Sequence, residues 1–326
     1  MKPAPPAPAE DVTAPPSRTA LVLAFATIYL VWGSTYLGIR VAVTTMPPFA
    51  MAAARFGLAG VLLFTWLKLR GTAWPQTRQW RDNAIVGTLL LLGGNGLVAW
   101  AEQFIPSGVT ALIIGAGPIF VVLTEWAWPG GQRPTLLTFA ALLLGMSGVA
   151  YLTFDPAQRE GNALPPAALI AVLIACLSWS VGSIYSRHTK RAAPPPMAAA
   201  LQMICGSVSL MLVGFATGDW QRLNVSAISA ASWSAFVYLA LIGSILGFST
   251  FVWLLKHSTP ARISTHTFVN PIVAVFLGWM ILHEPVTGRT LIASAIIVSA
   301  VVLVNAQKTI AAPAPPPLRP PSATDA

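Results

Sequence analysis

What most constrains this chain is its punctuation. From about residue 20 to about residue 306, apolar stretches of roughly 20 residues follow one another, separated only by short polar or Pro/Gly breaks. A helix of that length spans about 30 Å, the thickness of a bilayer's hydrocarbon core. The stretches are placed near 21–43, 48–67, 84–103, 107–127, 135–154, 164–186, 196–217, 231–255, 261–282 and 288–306. Ten spans of about 20 residues leave some 90 for nine connections of about ten. That leaves no room for a soluble domain, which argues against a receptor or a membrane-tethered enzyme with a catalytic head. Composition agrees: 55% of residues are hydrophobic and 9% charged, against about 25% charged in a soluble domain. The expected fold class is an all-α integral membrane protein.

The net charge of +9 and pI of 10.2 would suggest nucleic acid in a soluble protein. Here the distribution of the charges gives another account. With the N-terminus inside, cytoplasmic segments hold fourteen of the nineteen basic residues, and Arg159, Arg222 and Arg289 fall outside. The bias places both termini in the cytoplasm. Arg40 and Arg55 remain within spans, while Glu102, Asp155, Glu160, Asp219 and Glu284 fall on the outer side. Cys176 and Cys205 sit in apolar runs without CxxC spacing, so both are read as packing residues. Residues 1–18 are too rich in Pro and Ala for a signal peptide, so the first apolar stretch is expected to be retained as a helix.

Comparing the halves reveals an internal repeat. An offset of 147 superimposes Trp32 on Trp179, Arg40 on Arg187, and Pro47-Pro48 on Pro194-Pro195. The offset drifts to 154 for Pro106 against Pro260 and to 153 for Gly117-Pro118 against Asn270-Pro271. Each half holds five spans, an odd number, so the halves enter the membrane in opposite orientations. Ten transmembrane helices arranged as two inverted five-helix repeats are the build of many alternating-access carriers. The organisation expected is a disordered tail over 1–18, a first repeat over 19–155, a second over 163–306, and a disordered tail over 307–326.

The segments VWGSTYLGIRVAV, PPFAMAAARFGLAG, AEQFIPSGVTALIIGAGPIFVVLTEW and TPARISTHTFVNPIVAVFLGWMILHEP carry a family resemblance. The chain resembles EamA-type members of the drug/metabolite transporter superfamily over about 20–306. The resemblance implies a bacterial inner-membrane carrier of ten helices that exports small metabolites such as amino acids or toxic compounds. Members commonly carry Gly-Glu after both the fourth and ninth spans. Here His283-Glu284 follows the ninth, but the fourth is followed by Trp128-Pro129-Gly130-Gly131, so the acidic position is read as structural.

Polar residues within the spans are the candidates for chemistry. Trp32, Tyr36 and Arg40 recur every four residues and share one helix face. An Arg inside a span costs about 2.5–3.5 kcal/mol at the centre, so that face should meet protein or water, or Arg40 should reach the outer headgroups. Arg55 and Glu102 lie at a similar depth, and a cluster of Arg40, Arg55 and Glu102 would seal the outer mouth, hold a charged group of the substrate, or simply pair helices. At the inner side Glu125 is the candidate partner of Arg187 or Lys256, or a solvated interfacial carboxylate. His266 and Asn270 are one turn apart beside Pro271, and Pro118 matches Pro271 in the first half. Helix breaks at equivalent positions point to a binding site. His266 is read as either a proton-coupling group or a satisfied core histidine. Asn95, among Gly93, Gly94 and Gly96, is a lining residue or a packing residue. Asp82 is expected to be a loop charge beside Arg81. Trp66, Trp74, Trp80, Trp126, Trp128, Trp220 and Trp233 sit near span ends as an aromatic belt.

No HExxH, GxSxG, Walker or ordered GxGxxG signature is present. The expectation is therefore no enzyme, no catalytic residue, no metal and no cofactor. The functional reading is a secondary active exporter of amino acids or aromatic and amphipathic compounds, with substrate binding by Trp32, Tyr36, Asn95, Trp179, His266 and Asn270. Gating or coupling falls to Arg40, Arg55, Glu102, Glu125 and Arg187. The expected partners are a small-molecule substrate and the lipid bilayer, with no nucleic acid. Proton or exchange coupling stays open, as does a homodimer. The alternative is a membrane sensor or assembly subunit that keeps the fold and moves nothing.

Overall fold

The computed structural model describes residues 16–129, 131, 133–153, 164–189, 193–258 and 266–310. The sequence readings for residues 1–15, 130, 132, 154–163, 190–192, 259–265 and 311–326 lie outside the described residues. Every regular element among the described residues is helical. Among the described residues, seven helices are long and apolar enough to cross a membrane: α1 (Arg18–Ala42), α2 (Pro48–Leu69), α3 (Thr77–Ala101), α4 (Ser107–Ala127), α6 (Pro166–His188), α7 (Pro195–Ala216) and α8 (Ala230–Phe251). Three more helices, α5 (Leu136–Thr153), α9 (His266–Leu282) and α10 (Gly288–Ile310), carry the shorter apolar stretches Leu136–Leu152, Val269–Leu282 and Gly288–Ala300.

The helix starts follow local chemistry. Ser17 accepts a hydrogen bond from the Ala20 N–H at 3.1 Å to cap α1, and Ser229 does the same for α8 with the Ser232 N–H. Proline opens α2, α6 and α7 at Pro48, Pro166 and Pro195, where its missing N–H is no loss. The bounds differ most at α3, which starts at Thr77 instead of near 84. Asp82 is thus no loop charge: it is a helix residue only 8% exposed, accepting from the Arg81 guanidinium at 2.8 and 2.9 Å. The polar first turns of α3 hid it from a hydropathy reading, because they are satisfied against α7, where the Gln202 amide donates to Asn83 Oδ1 at 3.0 Å.

Two helices are widened at matching places. Thr88–Gly96 of α3 and Leu239–Leu246 of α8 are π-helical. In each, a side chain bridges the five-residue turn: Asn95 Nδ2 donates to the Leu90 carbonyl at 3.3 Å and Ser244 Oγ to the Leu239 carbonyl at 3.1 Å. Such segments inside α-helices are frequent at functional sites. The two proline positions behave differently. The α4 helix is interrupted at Ala116, one residue before Gly117-Pro118, whereas α9 runs through Pro271 without a break.

Packing has a pattern that survives exchange of the first five helices for the last five. The pairs α2–α7, α5–α10 and α4–α9 map onto themselves, α1–α9 maps onto α4–α6, and α1–α8 onto α3–α6. Between apolar helices in lipid the cohesion comes from close packing, which small residues permit. A Cβ on Gly60 would lie 2.9 Å from the backbone nitrogen of Ile204, and one on Gly148 would lie 2.9 Å from Ile296 and Ile297. Gly243 and Gly247 face Thr35, Arg55 and Trp32 of the same chain, so this GxxxG pair serves an internal contact. Cys176 and Cys205 are free, the former buried. At the ends, Lys68 Nζ stands 4.2 Å over the Trp74 ring and the Arg70 guanidinium 5.4 Å over Trp66.

Candidate functional site

The polar side chains of the spans gather at two levels. Near the middle, Gly33 lets α1 approach α9 so closely that an added Cβ would lie 2.6 Å from Val273 Cβ and 3.3 Å from the Asn270 carbonyl. One residue earlier, Trp32 inserts toward α8 over Gly247, where a Cβ would lie 2.7 Å from the indole nitrogen. The indole meets Phe251 and His266, both at 5.1 Å between ring centroids, and Phe251 lies 6.3 Å from His266. Three helices therefore contribute to one aromatic cluster, with Asn270 a turn above His266. Asn270 is buried, and its Oδ1 accepts no hydrogen bond. A buried polar atom without a partner costs on the order of 1–3 kcal/mol, so this oxygen is left able to accept from a donor.

Trp179 and Asn95 belong to the matching interface of α3 and α6, not to this cluster. Trp179 packs over Gly94, where an added Cβ would lie 3.0 Å from its ring, just as Trp32 packs over Gly247, but Trp179 is 45% exposed. The α3–α6 contact is closed by Ser178 Oγ donating to the Leu89 carbonyl at 2.8 Å. Asn95 spends its amide on the π-turn.

The second level is the end of the bundle that carries Glu102. Glu102 follows α3 directly and is 0% exposed. Neither carboxylate oxygen takes a hydrogen bond. Arg40 donates to its backbone carbonyl, not to the carboxylate. Arg55 is equally withdrawn: its Nε donates to Ser244 Oγ at 3.1 Å, and its guanidinium lies 4.6 Å from the Phe56 ring. The three expected residues thus meet, yet each guanidinium satisfies another acceptor. Tyr36 lies one turn before Arg40 on the same face of α1. Ser34 and Tyr238 share a hydroxyl–hydroxyl hydrogen bond at 2.5 Å one helix face away.

Glu125 and Arg187 lie toward the opposite end. Trp128 stacks on His188 at 5.5 Å, which joins the helix ends that carry them; the Arg187 side chain lies outside the described residues.

Two acids that sequence reasoning did not place in the site hold the Glu102 end together. Glu284 caps α4 with both oxygens: Oε1 accepts from Ser107 N–H at 2.8 Å and Oε2 from Gly108 N–H at 3.1 Å, with Ser107 Oγ 3.0 Å from each. Its position follows from the end of α9. His283 takes a left-handed φ of 54°, a conformation in which glycine is usual, and the Glu284 N–H returns to the Gly278 carbonyl at 3.1 Å, which closes the end of α9. In this chain His283 supplies the turn of the backbone and Glu284 supplies the cap. His283→Gly is expected to raise the thermal midpoint by the equivalent of up to about 1 kcal/mol, checked by a melt of the detergent-solubilised protein. Asp219, also 0% exposed, accepts from Phe49 N–H at 2.7 Å and Ala50 N–H at 3.3 Å and pairs with Arg222 at 2.6 Å. Each acid comes from the second half of the chain and caps a helix of the first.

Known proteins provide independent comparisons. The sequence pattern described as EamA-like transporter family matches residues 19–154 and 166–306. An Escherichia coli K12 protein named "Uncharacterized inner membrane transporter YedA" is 36% identical over 284 residues, covering 86% of this chain and 89% of its own. A Bacillus subtilis protein named "Uncharacterized transporter YvbV" is 26% identical, over 89% of this chain and 92% of its own. Protein PecM of Dickeya dadantii is 26% identical over 84% of this chain and 89% of its own. A solved crystal structure superimposes with a TM-score of 0.61 at 20% identity, covering 91% of this chain and all of the other, and so shares the fold.

Proposed function

This chain belongs to the EamA-like transporter family, and from that premise we propose that it is a multi-pass inner-membrane exporter of small amphipathic metabolites, working by alternating access. Its ten helices form two inverted repeats, both termini face the cytoplasm as the basic residues favour, and the Glu102 end is the outer mouth. The observation that carries this reading is the exchange symmetry of the helix packing, with π-segments and Trp-over-Gly contacts at matching places in both halves. Two halves of like construction give two conformations of similar energy, which a transported ligand can interconvert by differential affinity.

Trp32, Tyr36, His266 and Asn270 line the substrate path from α1 and α9; Trp179 is the counterpart of Trp32 across the pseudo-symmetry axis, and Asn95 joins them from α3. Aromatic walls, one unsatisfied amide oxygen and cations near one end suit an amphipathic zwitterion or organic anion, such as an amino acid or an aromatic acid. Counterflow in proteoliposomes with a pooled set of labelled amino acids and small aromatic metabolites tests the proposal. Wild-type protein should accumulate label, and Trp32→Ala and Asn270→Ala should each lower the initial rate about tenfold, the equivalent of one lost contact of about 1.4 kcal/mol. Full accumulation in both variants would move the site elsewhere. A wild-type protein that accumulates nothing while a stable partner co-purifies would favour a sensor or assembly subunit.

A further inference from the structure

The substrate path proposed above makes no use of Glu102, yet among the described residues it is the one acid whose two carboxylate oxygens are both buried without a hydrogen bond. Its carboxyl is fully enclosed, and neither oxygen meets a donor. The charged and titratable groups facing it from the neighbouring elements are Arg40 and Tyr36 of α1, Arg55 of α2, and Glu284 of the loop between α9 and α10. None neutralises it by direct contact. Arg40 is held by the Glu102 main-chain carbonyl, Arg55 by Ser244, and Glu284 by the N-terminus of α4. An ionised carboxylate sealed in this way loses its water without gaining hydrogen bonds, which is strongly unfavourable. A protonated acid has no such difficulty.

We propose that Glu102 is a proton-binding site that operates the outer gate: it takes up one proton when the outer mouth closes and releases it when the mouth opens. The proposal rests on the alternating-access reading above and on the assignment of this end as outer. In the closed arrangement seen here, burial holds the Glu102 carboxyl well above the ordinary carboxylate range and Glu284 raises it further, against the opposing pull of Arg40 and Arg55. Opening separates the turn after α3 from α1 and from the Glu284 loop. Water then reaches the carboxyl, and both guanidinium groups are free to turn toward the anion, so it ionises as an ordinary solvated carboxyl does.

The sign follows from linkage. The closed form binds more protons, so closure strengthens as pH falls through the closed-state value and saturates below the open-state value, by at most about tenfold in the closed-to-open ratio per pH unit. Because the proton enters and leaves on the outer side, the device regulates opening by outer acidity and moves no net proton inward.

Spin labels at Phe104→Cys and Val286→Cys, both exposed at the outer end, in a Cys176→Ala, Cys205→Ala background of the full chain in lipid nanodiscs, would read the gate as a distance distribution between pH 8 and 4.5. The expected result is two populations, with the shorter distance gaining as pH falls. Glu102→Gln should hold the short distance at every pH, and Glu102→Asp should keep the pH dependence. Two populations whose ratio ignores pH, or follows it equally in Glu102→Gln, would overturn the proton gate and leave alternating access standing. Transfer of the lost dependence to Glu284→Gln would assign the proton to that residue instead. A single distance in every sample would count against both readings.

Discussion

Glu284→Ala is expected to destabilise the bundle by on the order of 2–3 kcal/mol, the scale for losing a charged helix cap with hydrogen bonds to an ionised acceptor. The carboxylate satisfies two backbone N–H groups and the Ser107 hydroxyl at the start of α4, with both oxygens engaged. Truncation leaves those N–H groups at a helix terminus whose partial positive charge favours an anion. Glu284→Gln should recover part of the loss, since one amide oxygen remains to accept. The measurement is thermal unfolding of the detergent-solubilised protein followed by tryptophan fluorescence or by retention on size exclusion. Ser107→Ala combined with Glu284→Ala should cost less than the sum of the single changes, because the two groups interact directly. An unaltered melt in Glu284→Ala would show that the cap is replaced by water at no cost.

A larger effect is expected from Gly206→Leu. Gly206 of α7 faces Gly87 of α3, and a Cβ there would lie 2.7 Å from the Gly87 carbonyl oxygen and 2.8 Å from Leu91. The first obstacle is backbone, so no rotamer change relieves it. Even Gly206→Ala should cost about 1–3 kcal/mol, the usual range for overpacking. The leucine has no room at all, and the expected outcome is loss of a monodisperse peak in size exclusion after extraction. Gly117→Ala provides the control, since nothing lies within 4 Å of a Cβ at that position. Its melt should stay within about 0.5 kcal/mol of wild type. Equal tolerance of Gly206→Leu and Gly117→Ala would mean that α3 and α7 do not approach as closely as described.

The helices themselves were legible because a bilayer imposes a length and an apolar surface on anything that crosses it. Ser107–Ala127 coincides with its sequence reading, and most others agree within a few residues. Where hydropathy failed, at the start of α3, the cause was tertiary: Asp82 and Asn83 are polar but find partners on Arg81 and α7. The pairing of Trp32 with a glycine was half visible. The sequence showed the GxxxG of Gly243 and Gly247 without saying that Gly247 receives an indole from α1. Asn270 and His266 were singled out by a proline, yet α9 does not break there. What distinguishes Asn270 is an unsatisfied buried oxygen, which no spacing reveals.

The cluster at the Glu102 end separates the two kinds of knowledge most clearly. Sequence depth alone brought Arg40, Arg55 and Glu102 to one level, because position along a spanning helix is depth in the membrane at about 1.5 Å per residue. Depth does not specify partners. Arg40 turns to a carbonyl, Arg55 to a hydroxyl supplied by the π-segment of α8, and Glu102 is left without a donor. Likewise the sequence placed Asp219 and Glu284 on the same side as Glu102, while only the packed structure shows that they cap α2 and α4 across the two halves. Amino-acid order determines span and level, since these depend on one helix against lipid and water. Hydrogen-bond partners depend on which helices are neighbours and how they are rotated, and that is decided when all of them pack at once.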